Sequence, residues 1–159
     1  MQKYLILHNI RSEENVGSMF RTADAFGVEK IYLTGYTPAP LDRFKRPVAK
    51  IAKTALGAEL TIAWQKSDDV STVIALLKAK NVRVVALEQD TRSKPLISYM
   101  ISVPWALVVG NEVGGIDQET LALCDDIVEI KMHGEKESLN VAVAAGIALY
   151  ALTKGAQLA

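Results

Sequence analysis

HGEKESLNVAVAAGIALY, residues 133–150, passes without a linker from a charged, glycine-bearing segment into a helix-forming run that carries no charge. A run of small and aliphatic side chains such as VAVAAGIALY is stable as a helix only when packed on most of its circumference. It therefore belongs inside a layered fold, with Glu135, Lys136, Glu137, Ser138 and Asn140 at its mouth. Serine and asparagine are residue types that cap free helical amides. The plainer reading is a solvated loop capped by Ser138, and the rest of the chain decides between the two.

Upstream of this segment, short apolar runs recur: YLIL (4–7), KIYLT (30–34), LTIAW (60–64), VRVVALE (82–88), WALVVG (105–110) and IVEIKM (127–132). Their length and β-branched content predict strands buried on both faces. Helices are expected between them, at 15–26 before Gly27, at 68–80 behind a capping aspartate, at 117–123, and at 138–153 before Gly155. Regular alternation of this kind gives an α/β fold, a mostly parallel sheet with helices on both faces and right-handed crossovers. Residues 1–159 read as a single domain without repeats, low-complexity tracts or a linker.

Composition narrows the function classes. Half the residues are apolar and only 6% aromatic, so Val, Ile, Leu and Ala must build the core. Eighteen basic residues balance eighteen acidic ones, which argues against indiscriminate coating of nucleic acid. Residues 1–54 nevertheless hold nine Lys/Arg against five Asp/Glu. The excess concentrates in RFKRPVAKIAK (43–53), where Arg43, Lys45, Arg46, Lys50 and Lys53 form a candidate phosphate patch. Cys124 is the only cysteine, so no intrachain disulfide is possible and no Cys-based metal site is expected. With neither a leader-like segment nor an apolar stretch of spanning length, the chain reads as soluble and cytoplasmic.

Parallel sheets bind ligands beyond the carboxyl ends of their strands. Three polar loops meet that condition: EQDTRSKP (88–95), GNEVGG (110–115) and HGEKES (133–138). The first strand-to-helix turn, HNIRSEENVGS (8–18), has one glycine where a dinucleotide site needs G-x-G-x-x-G, and G-x-x-x-x-G-K-[ST] is absent. A Rossmann-type oxidoreductase is thereby disfavoured. The pocket should take a ligand carrying little phosphate.

NVGSMFRTADAFG (15–27), ALVVGNEVGGI (106–116) and IKMHGEKESLNVAVAAGIALY (130–150) strongly resemble, in order and spacing, the three motifs of the SpoU, or TrmH-like, branch of the SPOUT RNA methyltransferases. The resemblance covers essentially the whole chain. It implies S-adenosylmethionine as methyl donor with no metal, an RNA ribose 2′-hydroxyl as acceptor, a homodimer, and a Rossmann-like SPOUT fold with a deep C-terminal trefoil knot. Sequence physics alone would not propose a knot, since knots are nearly absent among folds.

By the same resemblance the donor lies against Leu87, Gly110, Glu112, Ile130, Met132, Ser138, Leu139 and Asn140, and Asn15, Arg21, Glu112, Ser138 and Asn140 form the catalytic set. Asn15 is expected in the turn before the first helix. Glu112 is expected to hold the motif loops in register more than to face the sulfonium. Arg21 is implied to act on the donor held by the partner subunit. A guanidinium, with a pKa above about 12, is a poor base, so Arg21 is expected to stabilise the developing alkoxide and grip the neighbouring phosphate. RNA contacts are expected from Arg11, Arg21, Arg43, Lys45, Arg46 and Lys50, with Tyr36 and Phe44 placed to stack on bases. Trp64 and Trp105 read as core, and neither His8 nor His133 matches a required position. The compact chain, beginning on its first strand, favours transfer RNA as substrate. Ribosomal RNA, and a non-catalytic RNA-binding dimer, are the alternatives.

Overall fold

The computed structural model describes residues 1–155. Seven parallel strands, β1 (Lys3–His8), β2 (Lys30–Thr34), β3 (Ala63–Ser67), β4 (Arg83–Leu87), β5 (Lys94–Pro95), β6 (Trp105–Val109) and β7 (Asp126–Glu129), form one sheet in the order β3-β2-β1-β6-β4-β7-β5. Every residue of β6 is buried, as are Leu5, Ile6 and Leu7 of β1. These central strands are covered on both faces, which is why they read as unbroken apolar runs.

Among the described residues six α-helices cover the sheet: α1 (Glu13–Ala25), α2 (Ala49–Ala55), α3 (Ala58–Thr61), α4 (Val70–Ala79), α5 (Gln118–Leu123) and α6 (Val141–Gly155). On one face Val16 and Phe20 of α1, Ile51 of α2 and Leu149 of α6 pack on Leu5, Leu7, Leu107 and Val109. On the other, Val73, Ile74 and Leu77 of α4 and Leu121 of α5 pack on Ile6, Val84 and Val108. The helices thus lie on both faces, as the alternation predicts. Gly17 lets α1 approach α2 closely, because a Cβ there would collide with the Thr54 hydroxyl and the Ile51 carbonyl.

Several boundaries differ from the expectation, each for a local reason. Helix α1 begins at Glu13, so Asn15 lies in its first turn and not before it. Ser12 sets that start, its Oγ accepting from the Asn15 amide at 3.1 Å. Helix α6 begins at Val141, three residues later than expected, because Asn140 Oδ1 accepts from the amides of Ala142 at 2.9 Å and Val143 at 3.3 Å. Asn140 is therefore the cap, and Ser138 lies outside the helix. Strand β3 falls at 63–67 instead of 60–64, since residues 58–61 coil into α3 and turn Leu60 to solvent.

Connections from β1 lead to β2 on one side, while β4 and β6 connect onward to β5 and β7 on the other. The winding direction reverses between β1 and β6, and sheets of this kind take ligands at the carboxyl rim.

Candidate active site

A cavity of about 240 Å³ opens at that rim, between the ends of β4, β6 and β7 and the segment leading into α6. Leu87, Gly110, Glu112, Ile130, Met132, Ser138 and Leu139 all line it, together with Glu88, Gln89, Asn111 and Glu129. Among the described residues its walls combine aliphatic side chains with three carboxylates and hold no Lys, Arg or His. Such a lining suits a ligand with an apolar body and net positive charge, and repels phosphate.

The glycine-bearing loop after β6 is a compact turn. Asn111 and Gly115 bridge through paired backbone bonds of 3.1 and 3.0 Å, and Asn111 Oδ1 accepts from the amides of Val113 (2.9 Å) and Gly114 (2.7 Å). Gly115 has φ +65° and packs so tightly on the Glu88 carboxylate that a Cβ would overlap it. Glu88 in turn accepts from the amides of Ile116 (2.9 Å) and Gln89 (2.8 Å), joining the loops after β4 and β6. Asn111 and Glu88 were absent from the expected site. Their only signal was position, directly beyond a strand end in a loop already marked as ligand-facing.

Glu112 ties this loop to the first helix. Its carboxylate accepts from the amides of Arg11 (3.0 Å) and Ser12 (3.0 Å) and from Asn15 Nδ2 (3.1 Å). Burial raises the carboxyl pKa, but these donors outweigh it and hold it below the usual carboxylate range. The other end of Asn15 continues the chain, with Asn15 Oδ1 accepting from Asn140 Nδ2 at 3.1 Å. Since Asn140 caps α6, one line of hydrogen bonds runs from Glu112 through Asn15 to the mouth of the last helix. Residues 15, 112 and 140, far apart in sequence, are thereby held together.

Other expected residues lie elsewhere. Asn140 and Asn15 border a second, more open groove between α1 and α6, lined also by Ser18, Thr22, Phe26, Val143, Gly146 and Tyr150. Arg21 is exposed on α1, lines neither cavity, and makes no hydrogen bond or ion pair among the described residues. The basic run is less free than its composition implies. Asp42, one residue ahead of it, pairs with Arg46 at 2.8 Å, and Glu14 pairs with Lys50 at 3.5 Å. Trp105 is fully buried and Trp64 partly so against the same core. His8 is buried at the end of β1, against Thr34 and Asp117, and His133 is exposed. Among the described residues no group of three or more His, Cys, Asp or Glu side chains converges to hold a metal, and no helix is long and apolar enough to cross a membrane.

Residues 2–150 match the SpoU rRNA Methylase family. The chain belongs to that family. It is 34% identical over 146 residues, 92% of its length, to the 23S rRNA (guanosine-2′-O-)-methyltransferase RlmB of Nitrosomonas europaea, and 32% identical to the RlmB of Pectobacterium atrosepticum. It covers 54% and 57% of those two proteins, so it spans about half the length of the curated relatives it matches. Among solved structures, the AdoMet-bound rRNA methyltransferase of Sinorhizobium meliloti superposes with a TM-score of 0.83 at 29% identity, over 94% of this chain and 55% of that one. The TrmH/SpoU tRNA modifying enzyme of A. aeolicus superposes with a TM-score of 0.85 at 25% identity, over 99% and 76%.

Proposed function

We propose that this SpoU-family chain transfers a methyl group from S-adenosylmethionine to a ribose 2′-hydroxyl of RNA, with ribosomal RNA the substrate class. The observation that carries the reading is the cavity lined by carboxylates without a single cation, roofed by the loops that the Glu112–Asn15–Asn140 chain holds in register. S-adenosylmethionine fits this lining, since its sulfonium and ammonium outnumber its carboxylate and its adenine needs an aliphatic slot. When bound, the donor supplies an electrophilic methyl on sulfur. Leu87, Ile130 and Leu139 would hold the base, and the backbone at Gly110 and around Met132 and Ser138 would orient the rest.

The protein's task is then to hold the acceptor oxygen in line and stabilise the charge it develops. Arg21 is assigned that role, along with gripping the adjacent phosphate. It lines no part of its own chain's cavity, so it is to be supplied by a second copy. The groove between α1 and α6, flanked by the exposed Val143, Ile147 and Tyr150, supports a homodimer joined there, in which Arg21 of one subunit would serve the cavity of the other. A deep knot is part of the same reading. Its support is the family to which the chain belongs; the bond from Gln89 Nε2 to the Glu137 carbonyl at 2.7 Å fastens the loop after β4 to the entry of α6 in either topology.

Transfer RNA, favoured by chain length alone, gives way to ribosomal RNA because the curated relatives at about one-third identity are named for 23S rRNA. Length also loses its force as an argument when the chain spans half of those proteins. The test is calorimetric titration with S-adenosylmethionine and with NAD, followed by labelled methyl transfer to unmodified ribosomal and transfer RNA. Donor binding with ribose label on ribosomal RNA is expected; absence of saturable donor binding by folded protein refutes the reading. Arg21→Ala should lower turnover by about 10²–10³-fold with donor affinity intact, and Arg21→Lys should not restore it.

A further inference from the structure

The loop between β2 and α2 is built around an aromatic ring that neither the core nor the methyl-transfer chemistry uses. Leu41 and Pro47 bridge antiparallel, and the Asp42 amide donates to the Arg46 carbonyl at 2.9 Å. Asp42 organises the tip: Oδ1 accepts from the amides of Phe44 (2.8 Å) and Arg46 (2.9 Å), and Oδ2 accepts from Arg46 Nε at 2.9 Å. Lys45 closes the turn at φ 59°. The result is a small ordered hairpin whose apex carries Phe44, 61% exposed.

Two guanidiniums flank the ring, Arg43 at 4.7 Å and Arg46 at 5.0 Å from its centroid. Arg46 is neutralised by Asp42, whereas Arg43 and Lys45 form no ion pair among the described residues. The ring already carries stacked planar cations, and an unstacked nucleobase can take the place of the unpaired Arg43 guanidinium on it, releasing Arg43, with Lys45, to the flanking phosphates. The arrangement does not match duplex RNA, whose bases are already stacked on each other. The hairpin is also joined to the candidate active site. Tyr36, at its root, shares a 2.8 Å hydrogen bond through its hydroxyl with Asn111 Nδ2, and Asn111 lines the donor cavity.

We infer that Phe44 is a stacking platform for an unpaired RNA base, with Arg43 and Lys45 on the neighbouring phosphates, so that the substrate offers its target within a single-stranded loop. This rests on the RNA-methyltransferase reading and adds the architecture of the substrate to it. The preformed hairpin reduces the ordering cost on binding.

The experiment measures fluorescence anisotropy of a labelled single-stranded oligoribonucleotide of mixed sequence, and of the same strand annealed to its complement, with wild type, Phe44→Ala, Phe44→Trp and an Arg43→Ala/Lys45→Ala double variant. Phe44→Ala should weaken single-strand binding by about tenfold, leave duplex binding and S-adenosylmethionine affinity unchanged, and be rescued by Phe44→Trp. The double variant should flatten the salt dependence by about 1.4 in log–log slope, for two phosphate contacts on a single strand, while Phe44→Ala leaves the slope alone. Equal loss on single strand and duplex, no loss in Phe44→Ala, no rescue by Trp, or no RNA binding by the wild type would each overturn the inference. Methyl transfer to RNA with an inert Phe44→Ala sinks this inference alone. Loss of single-strand binding in Phe44→Ala without methyl transfer to any RNA sinks the catalytic reading and leaves the platform standing.

Discussion

Two carboxylates, at opposite rims of the sheet, solve the problem of burial with different partners. At the carboxyl rim Glu112 is held by neutral donors, two backbone amides and the Asn15 side chain. At the amino rim Asp126, with a side chain only 4% exposed, accepts from Arg83 Nε at 2.6 Å, Lys94 Nζ at 2.7 Å and Tyr99 Oη at 2.8 Å. Burial raises the Asp126 pKa, yet Arg83, Lys94 and Tyr99 pull it down to about 2. Tyr99 is itself pushed up to about 12, by burial first and then by the Asp126 anion. Asp126 joins β4, β5, β7 and the turn after β5, and nothing around it faces the cavity. Glu112 joins the three segments that build the cavity. A charge clamped by cations serves the fold, and one held by amides sets the register of a site.

The largest expected effect follows at the amino rim. Asp126→Ala should destabilise the protein by about 2–3 kcal/mol, below the 3–5 typical of a broken buried pair because Arg83 and Lys94 can turn to water. For a chain of this size that is a fall in Tm of roughly 4–12 °C. The pH dependence has a definite sign. The folded pKa of about 2 lies below the ordinary aspartate value of 3.8, so the contribution is complete above about pH 4 and is lost as pH falls towards 2. The Tm gap between wild type and Asp126→Asn should close across that window, and a gap constant down to pH 2 would refute the ion cluster.

Next in size is Glu112→Ala. It releases three neutral donors that lie close to solvent, which costs about 1–2 kcal/mol, but it frees the loop after β6 from α1. Donor affinity should therefore fall by about tenfold or more, measured well below the melting temperature. Asp126→Ala under the same conditions should bind the donor normally. If both variants lose donor affinity equally, the division of labour between the rims is wrong.

This division also marks what a sequence can reveal. Strands β4 and β6 are legible because burial on both faces leaves an unbroken aliphatic run, and the strand ends at Leu87 and Val109 then locate the rim. Helix α2 is not, since Val48 offers no side-chain cap and AKIAKTA mixes lysines into the apolar pattern. Strand β5 is two residues, one of them proline, too short to leave a pattern, and Lys94 fastens it to Asp126 of β7. In the site, Gly110 and Met132 come from the family resemblance and lie in loops beyond strand ends, whereas the bond between Asn15 and Asn140 spans 125 residues and depends on tertiary packing. The basic run is partly compensated by residues outside 43–53, because Asp42 and Glu14 pair with Arg46 and Lys50, while Arg43 and Lys45 form no ion pair among the described residues.

The smallest effect belongs to His8, which lies between the two carboxylates in character: buried, but held neutral. Asn9 Oδ1 accepts from the Tyr36 amide at 3.2 Å, which orients the Asn9 side chain so that its Nδ2 donates to His8 Nε2, also at 3.2 Å. His8 Nε2 is then an acceptor, so Nδ1 carries the proton and donates to Thr34 Oγ1 at 3.0 Å. Burial lowers the His8 pKa, and the Asp117 carboxylate, 3.4 Å from Nε2, only partly opposes it. Because the folded pKa lies below the unfolded one, the unfolded chain takes up the proton first as pH falls below about 6.5. Stability should decline gently as pH falls below about 6.5, a range above that in which Asp126 responds. His8→Gln should flatten that slope in thermal melts, leaving the acid limb below about pH 4 as in the wild type. A slope that survives the substitution would assign the titration to another group and leave His8 a spectator of the rim it helps to build.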